Sequence, residues 1–149
     1  MKASGISFIE IVVFSLYTLS MEKKYTPELI KHRVEKAKQT IADVEFLIAN
    51  KKLGLAVNRI YYGAFYILSA LALKNQFTTS KHQQLIGWFN KTFVKERLVA
   101  KKYGEFIVKA FENRSTGDYD DFAEFTQEDV LALFAEMKSF CREIERLLK

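Results

Sequence analysis

Apolar residues recur at spacings of three and four in two long segments of this chain. The first stripe comprises Ile30, Val34, Ala37, Ile41, Val44 and Ile48, and the second Val130, Leu133, Phe134, Met137, Phe140, Ile144 and Leu147. This spacing places the side chains on one face of an α-helix, so each segment needs a partner surface. One Pro and six Gly among 149 residues leave few points at which a helix must end. A turn-rich all-β fold is therefore disfavoured.

The first predicted helix covers residues 26–50. Thr26 is suited to cap free backbone amides, and Pro27 is favoured at the first helical position. Residues 55–74 form a second predicted helix with very few charges, and we expect it to lie at the centre of the fold. Its Gly63 and Ala64 favour the close approach of another helix.

Three more helices are predicted in the second half of the chain. Ser80, with Gln83 three residues later, has the spacing of a capping box and opens the third. A break near residues 95–97 separates it from a fourth helix, and a polar loop is expected over residues 114–121. Thr126 caps the last helix. The predicted fold is all-α, an up-and-down antiparallel bundle of four to five helices.

The N-terminal residues 1–20 differ from the rest and form an apolar appendage to a domain of residues 21–149. The apolar run is shorter than the ~20 residues of a membrane span, and Glu10 interrupts it, so no membrane insertion is expected. The segment weakly resembles a signal peptide. Two other interpretations stay open: a strand or helix that covers an apolar surface, and a stretch upstream of a natural start at Met21.

Charge is distributed unevenly along the chain. Residues 51–110 carry eleven Lys or Arg against two Asp or Glu, whereas residues 111–149 carry five against ten. A basic segment can attract RNA, DNA or an acidic protein, because its cations displace counterions from phosphates. The alternative is that the opposite charges meet within the fold or across a homodimer.

The cysteine and histidine content limits the possible chemistry. Cys141 is the single cysteine, so an intrachain disulfide is excluded and a reducing, cytoplasmic location is expected. With two histidines, a histidine-rich metal site is excluded as well. An acidic stretch could hold a hard cation, although it lacks the spacing of a calcium loop. It comprises Asp118, Asp120, Asp121 and Glu124. We expect no metal and no cofactor.

Three short motifs carry the remaining chemistry. They are Asn58-Arg59-x-Tyr61-Tyr62-x-x-Phe65, then Ser80-Lys81-His82, then Arg114-x-x-x-Asp118-Tyr119. In this order on a helical bundle, they resemble the HEPN superfamily over roughly residues 25–149. The closest likeness is to small stand-alone HEPN proteins encoded beside minimal nucleotidyltransferases. The resemblance implies a two-fold homodimer with a site in the dimer cleft.

Active HEPN proteins are metal-independent ribonucleases with an Arg followed, after four to six residues, by a His. Arg114 matches that arginine, but the positions for the histidine hold Tyr119, Asp120 and Asp121. We therefore consider that His82 supplies the imidazole, or that Tyr119 accepts an adenylyl group from a nucleotidyltransferase partner. The alternative for His82 is a structural hydrogen bond near a helix N-terminus.

The candidate site comprises Asn58, Arg59, Tyr62, His82, Arg114, Asp118 and Tyr119. Arg114 and Arg59 are expected to contact phosphate, and Asp118 to orient Arg114. The alternative for Arg114 and Asp118 is a structural ion pair. The leading functional hypothesis is a toxin-like or regulatory component that works with a nucleotidyltransferase and binds or cleaves RNA. A non-catalytic nucleotide-binding module and a structural protein-interaction module remain as alternatives.

Overall fold

A computed structural model describes residues 5–121 and 123–149, without the side chains of residues 21–25. Five α-helices follow one another: α1 (Phe8–Ala49), α2 (Leu53–Lys74), α3 (His82–Phe89), α4 (Lys101–Tyr119) and α5 (Gln127–Leu148). A π-helical turn (Asn90–Val94) continues α3. These described residues contain no strand, which confirms the predicted all-α bundle.

Helix α2 lies at the centre and packs against α1, α4 and α5. Gly63 lies where α2 meets two neighbours: a Cβ there would force the flexible methyl end of Met137 to shift and would lie 3.1 Å from Cγ2 of Thr40. The close helix approach predicted from Gly63 is therefore confirmed. The core that surrounds α2 is rich in aromatic rings and includes Phe89, Phe106 and Phe140.

The predicted helix start at Thr26 and Pro27 is wrong, because α1 already begins after Ser7. Ser7 and Glu10 form a capping box: the Ser7 hydroxyl accepts from the amide of Glu10, and the Glu10 carboxylate accepts from the amide of Ser7. Pro27 lies inside this helix and is exposed. The apolar N-terminal segment is thus a helix continuous with α1.

Two other predicted helix ends are also corrected. Lys81, and not Ser80, is the N-cap of α3, and Thr79 accepts a hydrogen bond from the Lys81 amide. The predicted polar loop is helical up to Tyr119, because Arg114 and Asp118 pair one turn apart within α4. The break after residue 94 and the Thr126 cap of α5 are confirmed.

The N-terminal half of α1 exposes apolar side chains. Large exposed fractions are found for Phe8, Ile9, Val13, Phe14, Leu16 and Tyr17. No described helix is long and apolar enough to span a bilayer. A bare apolar surface of this kind promotes association in water.

Deletion of residues 1–20 is expected to change the free energy of unfolding by no more than about 0.5 kcal/mol. The reason is that the exposed side chains of residues 8–17 contribute little to the core. Urea unfolding of the full chain and of the chain starting at Met21 measures the difference. A loss of several kcal/mol would contradict this account, and light scattering should show less association of the shortened chain.

Candidate functional site

Arg114 lies in the last turns of α4 and points at the centre of α2. Its side chain is 18% exposed. Nη2 donates a hydrogen bond to the Tyr62 hydroxyl at 2.8 Å, and Nε lies 3.0 Å from Oδ2 of Asp118. The Nε–H bond is not aligned with that oxygen, so the contact is an ion pair without a well-formed hydrogen bond. Arg114 is thus fixed from two sides.

Asp118 connects Arg114 to the start of the α2 motif. Nδ2 of Asn58 donates to Oδ1 of Asp118 at 3.3 Å. The structure therefore brings together four of the predicted site residues, and it also shows the ion pair that was the structural alternative for Arg114 and Asp118. We call these four residues, Asn58, Tyr62, Arg114 and Asp118, the arginine cluster.

Two tyrosine rings line the guanidinium of Arg114. Its Cζ lies 5.3 Å from the ring centroid of Tyr62 and 5.8 Å from that of Tyr61. The Arg59 guanidinium lies 5.6 Å from the same Tyr62 ring, which places Arg59 at the edge of the cluster. All three distances are within the range of cation–π attraction. Tyr62 therefore touches both predicted phosphate-binding arginines.

His82 reaches the same tyrosines from the start of α3. Its ring stacks on Phe65 with centroids 4.3 Å apart and planes at 10°, and its Nδ1 lies 2.5 Å from the Tyr61 hydroxyl. The His82 and Tyr62 ring centroids are 6.1 Å apart. The imidazole and the Arg114 guanidinium thus share Tyr61 and Tyr62 as neighbours. His82 also makes the structural hydrogen bond that was its alternative interpretation.

The surroundings of His82 favour its neutral form. Burial lowers the pKa of His82, and the positive charge of Arg114 lowers it further. Burial also raises the pKa of Tyr61 well above its ordinary value, so this hydroxyl keeps its proton at neutral pH. The pair is therefore a neutral phenol against a neutral imidazole.

The titration of His82 should make the folded chain less stable as the pH is lowered. The unfolded chain protonates this ring near pH ~6.5, whereas the folded chain does so only at a lower pH. Between these two pH values the unfolded state binds more protons than the folded state. The free energy of unfolding therefore decreases as the pH drops below about 6.5. Urea unfolding of wild type and His82→Gln at several pH values isolates this contribution. A difference between the two proteins that does not change with pH would contradict it.

Tyr119 stands apart from the other predicted residues. It is the last residue of α4 and is 82% exposed. Within the described part of the chain, its side chain makes no hydrogen bond or ring contact. Its side chain is open to solvent at the C-terminal end of α4, one residue after Asp118 in the sequence.

The sequence reasoning missed two side chains at this site. Tyr61 is completely buried between the rings of Tyr62 and Phe111 and holds His82 through its hydroxyl. The ring centroid of Phe111 lies 6.5 Å from that of His82. Tyr61 lies within the Asn58–Phe65 motif. A tyrosine hydroxyl on the buried side of this helix needs a hydrogen-bond partner, and that need could have indicated Tyr61 from the sequence.

Among the side chains that the structure describes, no three of His, Cys, Asp or Glu lie close enough together to hold a metal ion. The donors that converge here are a guanidinium, an imidazole, an amide and phenols. Such groups donate hydrogen bonds to anionic oxygen atoms.

Comparison with known proteins identifies the family. The family model described as HEPN domain matches residues 30–147. A UPF0332 protein of Thermotoga maritima is 38% identical over 122 residues, which cover 82% of this chain and 92% of that protein. A protein named "Putative toxin MJ0142" from Methanocaldococcus jannaschii is 32% identical over 128 residues, 86% of each chain. The chain therefore belongs to the HEPN family, as its motifs predicted.

Proposed function

We propose that this protein is the toxin-like component of a two-component system and that its site binds a phosphodiester of RNA. The observation that carries the proposal is the meeting of the Arg114 guanidinium and the His82 imidazole at Tyr61 and Tyr62. The word toxin in the names of two relatives that are 32% and 30% identical supports the toxin-like role.

The arginine cluster is suited to an anion. Tyr62 and Asp118 hold Arg114 in place before a ligand arrives, so binding costs little side-chain ordering. A guanidinium has five N–H donors in a planar fork, and the Tyr62 hydroxyl accepts from one nitrogen of that fork. Arg59 adds a second positive charge at the edge, and the basic residues 51–110 attract a polyanion from a distance.

Metal-independent cleavage of RNA is a second candidate function, favoured by the guanidinium beside an imidazole. In this reaction the 2′-oxygen attacks phosphorus and its proton passes to a water molecule, while the bond from phosphorus to the 5′-oxygen breaks and that oxygen takes a proton from water. The products are a 2′,3′-cyclic phosphate and a 5′-hydroxyl. Arg114 would stabilise the additional charge on the phosphorane oxygens.

The proposed partner is a minimal nucleotidyltransferase, and the proposed modification site is Tyr119. Transfer of AMP from ATP to the Tyr119 hydroxyl oxygen would release pyrophosphate and the phenolic proton. The 82% exposure of Tyr119 supports access by such an enzyme. An AMP group on Tyr119 would add negative charge to the C-terminal end of α4, the helix that carries Arg114 and Asp118 of the arginine cluster, and so weaken RNA binding. The family resemblance further supports a homodimer that acts in the cytoplasm.

The test uses a labelled single-stranded RNA of about 20 nucleotides and the full chain, unmodified at Tyr119, in EDTA. We expect binding that weakens steeply as salt is added, because phosphate contacts release counterions. Absence of binding at low salt would overturn the proposal. Products that end in a cyclic phosphate would support the second candidate, and binding without cleavage would reject it.

A further inference from the structure

The Tyr61 hydroxyl has one hydrogen-bond partner in the described part of the chain. Tyr61 is fully buried, and its oxygen lies 2.5 Å from Nδ1 of His82. Either atom can in principle supply the proton of this bond. Which of them does so determines what the other nitrogen of the imidazole offers to a ligand.

Burial decides the direction of this bond. A phenol carries one proton, and a buried O–H group without an acceptor destabilises the folded state. If Nδ1 carried the proton, the hydroxyl proton of Tyr61 would have no acceptor among the described residues. Tyr61 therefore donates and Nδ1 accepts. In a neutral imidazole the proton is then on Nε2.

The remaining contacts fix the orientation of the ring. Stacking on Phe65 at 4.3 Å sets the ring plane, and the bond from Tyr61 sets its rotation in that plane. Nε2 lies on the opposite side of the ring from Tyr61. It has no hydrogen-bond partner among the described residues, and solvent reaches it. Among the described residues, Arg114 is the charged group that acts on the ring, and Tyr61 and Tyr62 are titratable groups that contact it.

We propose that Tyr61 is a positioning residue that holds neutral His82 as the Nε2–H tautomer, so that His82 offers a hydrogen-bond donor to a phosphate oxygen bound beside Arg114. The identity of the ligand rests on the proposed function, whereas the tautomer does not. A neutral Nε2–H group has no lone pair with which to take the proton of a 2′-hydroxyl. His82 would therefore stabilise charge on phosphate and would not act as the general base.

The tautomer can be measured directly on the full chain labelled with ¹⁵N-histidine. Long-range ¹H–¹⁵N correlation spectra above about pH 8 distinguish a protonated from an unprotonated ring nitrogen. His32, which is exposed on α1, is the second histidine, and a His32→Gln variant assigns the signals. We expect Nε2 of His82 to be protonated and Nδ1 to be unprotonated. A protonated Nδ1 would overturn the proposal.

Tyr61→Phe tests the positioning role, because it removes the hydroxyl and keeps the buried ring. We expect His82 in this variant to exchange between both tautomers while the fold is unchanged by circular dichroism. If the Tyr61 hydroxyl were only structural, the tautomer would stay the same. That outcome would also overturn the proposal.

RNA binding separates the donor role from the proposed function. Gln places an amide donor near the position of Nε2, so His82→Gln should bind RNA about tenfold more tightly than His82→Ala. Equal affinities of the two variants would contradict the donor role. If the tautomer is found but wild type binds no RNA, the proposed function fails and the tautomer stands. If RNA binds but Nδ1 is protonated, the tautomer proposal fails and the proposed function stands.

Discussion

Arg114→Ala is expected to lower RNA affinity by about a hundredfold and to abolish any cleavage, with the fold intact. Each hydrogen bond to a charged group contributes about 1.5–3 kcal/mol, and the planar guanidinium can make two such bonds to one phosphate. The substitution also leaves Asp118 as an unpaired negative charge beside Asn58, which repels phosphate. Fluorescence anisotropy with labelled RNA measures the loss.

Two variants act as controls for this result. Arg146→Ala removes the same charge from an exposed arginine of α5 that pairs with Glu143, and it should bind RNA almost like wild type. Arg114→Lys keeps the charge but loses the planar fork, so an intermediate affinity is expected. If Arg114→Ala and Arg146→Ala bind equally well, Arg114 makes no specific contact.

Phe140→Ala is expected to lower the free energy of unfolding by about 3–5 kcal/mol, the largest stability effect predicted here. Phe140 is completely buried, and its ring centroid lies 5.1 Å from that of Phe106 and 5.7 Å from that of Phe89. The substitution leaves a cavity where α5 meets α4 and α3. Urea unfolding followed by circular dichroism gives the difference.

Phe46→Ala is the matched control, because it removes the same side chain from a position that is 67% exposed on α1. Its free energy of unfolding should change by no more than about 0.5 kcal/mol. A typical domain is stable by about 5–15 kcal/mol, so Phe140→Ala removes a large share of the total. A loss of less than 1 kcal/mol would contradict the assignment of Phe140 to the core.

The bundle could be predicted because the apolar residues of the first and last helices recur every three or four positions. Only a helix places residues with this spacing on one face that can be buried. Helix ends were harder to predict. Pro27 is favoured at a helix start, but an exposed position inside a longer helix also tolerates it at a cost in stability, and Ser7 provides the cap with which α1 begins earlier. Local signals did not decide between these two possibilities.

The same limit applies to the candidate site. Arg114 and Asp118 are four residues apart, a spacing that pairs on a helix, but Gly117 and the neighbouring polar residues favoured a loop. Whether His82 reaches Arg114 depends on how α3 packs on α2 and α4, which sequence spacing does not give. The structure places them on the same two tyrosines, while their roles toward a ligand stay predictions.

An NMR titration tests most directly whether RNA binds at Arg114 and His82. The full chain, labelled with ¹⁵N in arginine and histidine, is titrated with a 2′-O-methyl RNA that cannot be cleaved. We predict that the side-chain signals of Arg114 and His82 shift as the RNA binds, while those of the exposed Arg146 and His32 do not. RNA that binds without shifting Arg114 and His82 would contradict the account and place the nucleic-acid surface elsewhere on the molecule.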